Sequence, residues 1–422
     1  MNDDRRHFEE YRAGTGSVAV IVAVCIAMLI GFGALAVDIG HLFMAKNELQ
    51  NAADAGALAG ARVLYNDNGT INAGANQVAY DTATANKSEK QPVEVIAGLD
   101  SNTGDIQRGH WNPLTRTFTP NASLDPPDLS DRTDEEIHND VNVIDAVRVR
   151  TRREATPIVA FLARIFGYEG FTLSAEAVAW CGPPGPLPAE SVNQIIAICA
   201  QSIKVNDRYS CNIGRMINSG SQQSSHNTAG WTDFLQNEEC NGVNANDLKA
   251  LLQGCKPTNK TPIYLGKDME TGGGADASVF KAFRDCWIAA SDNRTKPWKL
   301  ALPVIDCPSN NVANCSEVRG AVYVDVVWVT DVGEDPKYKD APRKMAGVPP
   351  YYSAFDNSTV EDGKTRWNNF VNHFDLKNVD NQPAPYDKMS IYFLPDCTVN
   401  EPIGGTGTEY FGVKAKIPVL VK

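Results

Sequence analysis

The chain opens with a stretch from which charge is absent. From Ala13 to Val37 no residue is ionisable except Cys25, and Ser17–Val37 reads SVAVIVAVCIAMLIGFGALAV. A helix rising about 1.5 Å per residue crosses a hydrocarbon core of about 30 Å in roughly 20 residues. The segment is long enough to cross once, and no second one follows. Past Val37 the apolar pattern narrows to one face. Leu42, Ala45, Leu49, Ala52, Gly56, Gly60 and Val63 recur at spacings of three and four through Asp38–Tyr65, which contains no proline. As a single rod, Ser17–Tyr65 would be about 73 Å long.

Small residues dominate that face, with Ala53, Ala57 and Ala61 beside Ala52, Gly56 and Gly60. Such spacing lets a second helix approach closely. The commoner use of an amphipathic face is to cover the protein's own core. The other use is contact with a partner's helix, which would make this face a homo-oligomer interface.

After residue 65 a helix is predicted over 71–86. Strands follow over 93–97, 106–111, 115–119 and 141–150, the last close to a period of two. Residues 120–139 are polar and contain proline, and predict a loop. Thr156 and Pro157 predict the start of a short helix over 156–166, and 171–180 reads as a closing strand. Cys181-Gly-Pro-Pro-Gly-Pro-Leu-Pro188 cannot continue a helix or a central strand. It marks a hinge between two units. The second contains predicted helices over 246–253, 276–290 and 364–376, and strands over 320–332, 389–394 and 411–421. The fold class is α+β. A transmembrane helix continues into a long amphipathic helix on a small antiparallel sheet, and a mixed, β-rich, cysteine-containing domain follows. The divisions are a cytoplasmic tail (1–12), the span (13–37), an α+β domain (38–180), the hinge (181–188) and a C-terminal domain (189–422).

Charge and cysteine count sharpen this. Arg5, Arg6 and Arg12 precede the span and only Lys46 follows at comparable distance, which keeps the N-terminus in the cytoplasm. Nine of the ten cysteines, Cys181 to Cys397, then lie outside, where disulfides persist. Cys240 with Cys255 and Cys307 with Cys315 are the candidate local pairs, and one of the nine must stay unpaired within the chain. Ala34-Leu35-Ala36 fits a signal-peptidase site, but the apolar run exceeds the usual length of a signal peptide's core. Cleavage near Ala36 would instead release a cell-surface or secreted adhesin or binding module. A net charge of -12 and a pI near 5.1 argue against nucleic acid as a partner.

Catalytic motifs are missing. There is no H-E-x-x-H, no G-x-S-x-G, no P-loop and no C-x-x-C. No cofactor or metal is implied. Asp38 stands at the outer end of the span, where a carboxylate is tolerated at the interface. Its plain use is helix solubility, and its functional use would be a charge pair with a neighbouring subunit.

The run GSVAVIVAVCIAMLIGFGALAVDIGHLFMAKNELQNAADAGALAGA resembles the N-terminal segment of TadE/TadG-like proteins of Flp (tight adherence) pilus assembly. In that family an apolar span ends in Val-Asp, here Val37-Asp38, and a helix carries L-Q-x-A-A-D-A-x-A-L-A-G-A, here Leu49–Ala61. Gly56 stands where Ala is commoner. The resemblance marks Asp38, Leu49, Gln50, Asp54, Gly56 and Gly60 as candidate structural or interaction residues. It implies a non-enzymatic, single-pass protein of the bacterial inner membrane with its bulk in the periplasm. Its partners would be the lipid bilayer and other pilus-assembly proteins or pseudopilins.

Overall fold

The computed structural model describes residues 10–66, 69–218, 229–237, 239–274, 277–308, 311–330, 338–396, 407, 409–412, 414–415 and 417–422. Most of the expected cytoplasmic tail therefore lies outside the described residues. The architecture is α+β. Helix α1, Glu10–Arg62, runs unbroken for 53 residues and is long and apolar enough to cross a membrane. It changes environment along its length. Large apolar side chains are exposed on it from Val18 to Met44 and no further, whereas Leu49, Ala52, Ala53, Ala57 and Ala61 are buried.

Helix α2, Ala75–Thr84, lies against the small-residue face of α1. A Cβ on Gly60 would come within 2.8 Å of the Ala79 Cβ and 3.1 Å of Val147, and one on Gly56 within 2.9 Å of the Ala79 carbonyl oxygen. The close approach predicted for this face is thus taken up inside the chain, which leaves it no room for a second copy's helix.

Beneath α1 lies an antiparallel sheet. Its strands are β1 (Ile106–Asn112), β2 (Thr117–Pro120), β3 (Ala146–Val159) and β4 (Gly170–Trp180). Val147, Val149, Ala177 and Ala179 pack on Ala53, Ala57 and Ala61 of α1 and on Ala79 of α2. Two expectations need correction here. Strand β3 begins at Ala146 rather than 141, because Asp140 accepts the Asn142 N–H in a turn that keeps 141–144 out of the ladder. It also continues to Val159, through the stretch expected to start a helix. The register shifts between Arg153 and Ile158. Pro157, which has no N–H to donate, lies in that irregular stretch. The helical part shrinks to a single 3-10 turn, Ala163–Phe166. Conversely, the loop predicted over 120–139 contains a short helix α3, Asp134–Asn139, closed by a capping box between Thr133 and Glu136.

The second half is built on a seven-stranded mixed sheet. Its strands are β5 (Ile196–Cys199), β6 (Arg215–Asn218), β7 (Ala229–Thr232), β8 (Asp268–Gly272), β9 (Trp298–Ile305), β10 (Cys315–Val329) and β11 (Ser390–Asp396). The order is β6-β11-β10-β8-β7-β5-β9, and β9 also pairs with β10, so five strands close a ring. Only β5 and β9 run parallel. Helices α4 (Ala245–Leu251), α5 (Ala277–Ala290) and α6 (Gly363–His373) accompany the sheet. Phe280, Phe283 and Trp287 of α5 and Trp367 and Phe370 of α6 enter its core.

Among the described residues the disulfide pairs are Cys199–Cys307, Cys240–Cys315 and Cys255–Cys286, and Cys211 is disulfide-bonded as well. The local pairs Cys240–Cys255 and Cys307–Cys315 do not form. Strand adjacency decides instead. Cys199 ends β5 beside β9, with Ile305 in register with it, which brings up Cys307. Cys255 follows α4, which packs on the α5 that carries Cys286. Cys181 keeps a free, buried thiol, and its Sγ donates to the Ala61 carbonyl at 3.3 Å. Burial pushes that thiol up to about 12, so it stays protonated and unreactive.

The end of the chain departs furthest from expectation. The strand predicted over 411–421 is reduced, among its described residues, to Val419–Leu420. This strand leaves the second sheet and pairs antiparallel with β4 of the first, Val419 opposite Trp180.

Candidate functional site

The most constrained polar group near the apolar part of α1 is Asp38. Its carboxylate is 6% exposed and faces the turn between β3 and β4. One oxygen accepts the Phe161 N–H at 2.9 Å, the other accepts the Ala163 N–H at 2.7 Å, and the Leu162 N–H lies between them at 3.1 and 3.3 Å. These are the orphan donors at the start of the 3-10 turn, for which Leu162 supplies no side-chain cap. A carboxylate at a helical N-terminus gains from hydrogen bonds to charge as well as from the local dipole. Asp38 is therefore the cap of a turn 125 residues away, and both of its oxygens are engaged within the chain. Ala34, one turn earlier on the same face of α1, is buried too. His41, one turn later, meets the Phe161 ring edge-on at 5.0 Å and pairs with Glu89.

The remaining candidates on α1 bind the helix to its own sheet. Leu49 is fully buried against Ala52, Val93 and Ala175, and its carbonyl accepts the Thr151 hydroxyl at 2.8 Å. Gln50 donates its amide to Asp54 at 2.8 Å and to the Glu176 carbonyl at 3.1 Å. Gly56 and Gly60 hold the α2 crossing. The structure thus brings Leu49, Gln50, Asp54, Gly56 and Gly60 together as one internal seam, whereas Asp38 stands apart toward the exposed apolar part of α1.

Two groups were not singled out from the sequence. Glu94 reaches the irregular stretch of β3 and accepts the N–H groups of Glu154, Ala155 and Thr156 at 2.8–2.9 Å, together with the Thr156 hydroxyl at 2.6 Å. Partial burial raises its pKa, but those donors outweigh burial and hold the carboxyl at about 2. Asp145, buried, lies 3.3 Å from the buried ammonium of Lys414 and 3.6 Å from His110, and accepts the Trp111 N–H at 2.9 Å. Burial alone would raise its pKa; Lys414 and His110 outweigh it and keep the carboxylate ionised. The sequence signal for Asp145 was one acid among the alternating valines of 141–149. Nothing in the sequence linked it to Lys414.

Chemically, these groups cap, pair and pack. Among the described residues no cluster of three or more His, Cys, Asp or Glu side chains is placed to hold a metal ion.

Comparison with known proteins agrees with the N-terminal pattern. Residues 16–63 match the family described as Flp pilus-assembly TadE/G-like, and residues 59–179 match the family described as Tad-like Flp pilus-assembly. The two matches meet at the end of α1 and together stop at Ala179, the penultimate residue of β4. No curated protein and no solved structure matches the chain.

Proposed function

Because residues 16–179 carry Flp pilus-assembly domains of the Tad type, we propose that this chain is a membrane-anchored scaffold of Flp pilus assembly, without catalytic activity. One observation carries the proposal: α1 is at once the apolar, exposed helix from Val18 to Met44 and the central core helix of the folded domain from Leu49 onward. A helix continuous through both parts transmits position and force between bilayer and domain without a flexible joint. In this proposal the N-terminal tail, which carries Arg5, Arg6 and Arg12, stays in the cytoplasm and the rest of the chain is periplasmic. The disulfides suit an oxidising compartment. The domains 38–180 and 189–422 act as one body, because the C-terminal strand and Lys414 return to the first sheet. Other pilus-assembly proteins are the proposed partners.

The test is membrane fractionation with N-terminal sequencing, followed by deletion of the gene. A carbonate-resistant membrane protein with an intact N-terminus, and loss of pili on deletion, is the expected result. A soluble mature chain starting at Val37 would favour a secreted adhesin. Normal piliation without the protein would overturn the assembly role.

A further inference from the structure

The turn capped by Asp38 is unusually apolar for an exposed loop. Val159, Phe161, Ile165 and Tyr168 are 48%, 58%, 75% and 61% exposed, and Tyr168 stacks on Phe171 with ring centroids 6.3 Å apart. Exposed apolar side chains scattered singly need no explanation, but a cluster on one turn does. The turn carries two exposed charged residues, Arg164 and Glu169, and Arg164 is the only one among the apolar side chains from Phe161 to Tyr168.

The position of the cluster identifies its occupant. The Asp38 cap and the His41–Phe161 contact fix the turn beside residues 34–41 of α1. The exposed apolar length of α1, Val18–Met44, measures about 40 Å, which matches a bilayer with its headgroup layers rather than its hydrocarbon core alone. Residues 34–41 lie in the outer end of that length. Aromatic rings with a polar edge, and an arginine able to reach phosphate, are the side chains that settle in this layer. We propose that the β3–β4 turn rests in the headgroup layer of the bilayer that α1 crosses. Phe161, Ile165 and Tyr168 enter the acyl boundary and Arg164 meets lipid phosphate. The domain then has two attachments to the membrane, a spanning helix and a resting turn, which fix its height and its rotation about α1.

This rests on the reading of α1 as a membrane span, and the experiment separates the two. Full-length protein is reconstituted in phosphatidylcholine–phosphatidylglycerol vesicles with an environment-sensitive fluorophore on one cysteine. The native Cys25 reports the span. Ile165→Cys and Leu114→Cys, each in a Cys25→Ala background, report the turn and the far end of the sheet; both positions are well exposed, so neither substitution threatens folding. Nitroxide-bearing lipids are the quencher. Quenching at Cys25 and at Ile165→Cys, strongest there with headgroup-proximal nitroxide, and none at Leu114→Cys, is the expected result. Quenching at Cys25 with none at Ile165→Cys leaves the span and overturns the resting turn, whose apolar surface then belongs to a protein partner. No quenching at either position overturns both.

Discussion

Ala163 donates its backbone N–H to the carboxylate of Asp38 at 2.7 Å, although the two residues are 125 positions apart. One acid on the helix therefore governs the conformation of a remote turn. Asp38→Ala is expected to leave the N–H groups of residues 161–163 without an acceptor and to loosen the turn. Trypsin cleavage at the exposed Arg164 should accelerate on the order of tenfold, the effect of losing one or two hydrogen bonds from a local opening equilibrium. The digestion time course checks this, with cleavage at Arg116 in the β1–β2 turn as the reference.

Gly60 and Gly40 lie on one helix in opposite circumstances. A methyl group on Gly60 meets Ala79 and Val147, neither of which can swing away, while nothing lies within 4 Å of Gly40. Gly60→Ala should destabilise the domain by about 1–3 kcal/mol through overpacking, more than the gain of about 1 kcal/mol in helix propensity. Gly40→Ala should be neutral or slightly stabilising. Denaturant midpoints in detergent distinguish them.

Glu94 sets an acid limit. Its carboxyl is held at about 2 in the folded chain, against about 4.3 when unfolded. A depressed carboxylate contributes stability that is complete above the unfolded value and disappears as pH falls toward the folded one. Stability should therefore drop between about pH 4.3 and pH 2. Glu94→Gln should be less stable at neutral pH and should show a shallower fall across that window, measured by thermal unfolding at a series of pH values.

Cysteine connectivity is a direct check of the second half. Peptide mapping without reduction should recover Cys199–Cys307, Cys240–Cys315 and Cys255–Cys286, and no peptide joining Cys307 to Cys315. Cys255→Ser with Cys286→Ser should cost about 3.5–4 kcal/mol, the loop-closure entropy of a crosslink across a loop of this size.

The elements legible in the sequence were those whose cause is local. The uncharged run to Val37, the three-four spacing of α1 and the helix over 276–290 all depend on neighbours within a few turns. The capping box at Thr133 is equally local, but it sits in a polar, proline-containing stretch that predicts a loop. What the sequence concealed depends on partners far away. Thr156-Pro157 looked like a helix start because a cap is usually local. The carboxylates that take the N–H groups along this stretch come from Glu94 and Asp38. Cys307 and Cys315 looked paired because spacing cannot report which strands become neighbours. At the candidate site, Asp38 was visible as a carboxylate at the end of the apolar run, but its acceptor role was not, because the turn it caps has no motif.

The Lys414–Asp145 pair offers a test of how the two halves are joined. Lys414→Met removes the partner of a buried carboxylate and should cost about 3–5 kcal/mol. Adding Asp145→Leu to the same chain should recover part of that loss, since an unpaired buried charge is worse than none. Equilibrium denaturation of the single and double variants checks both.

The pairing of Val419–Leu420 with β4 has a temporal meaning. Synthesis runs from the apolar helix onward, but the first sheet lacks an edge strand and Asp145 lacks the Lys414 ammonium until residues 414–420 exist. The part of the molecule made first is thus the part finished last. For as long as the distal half is being made, the exposed edge of β4 is a template for any other extended segment nearby. A nascent chain in a crowded assembly site would be open to exchange with its neighbours during that interval and closed to it afterwards.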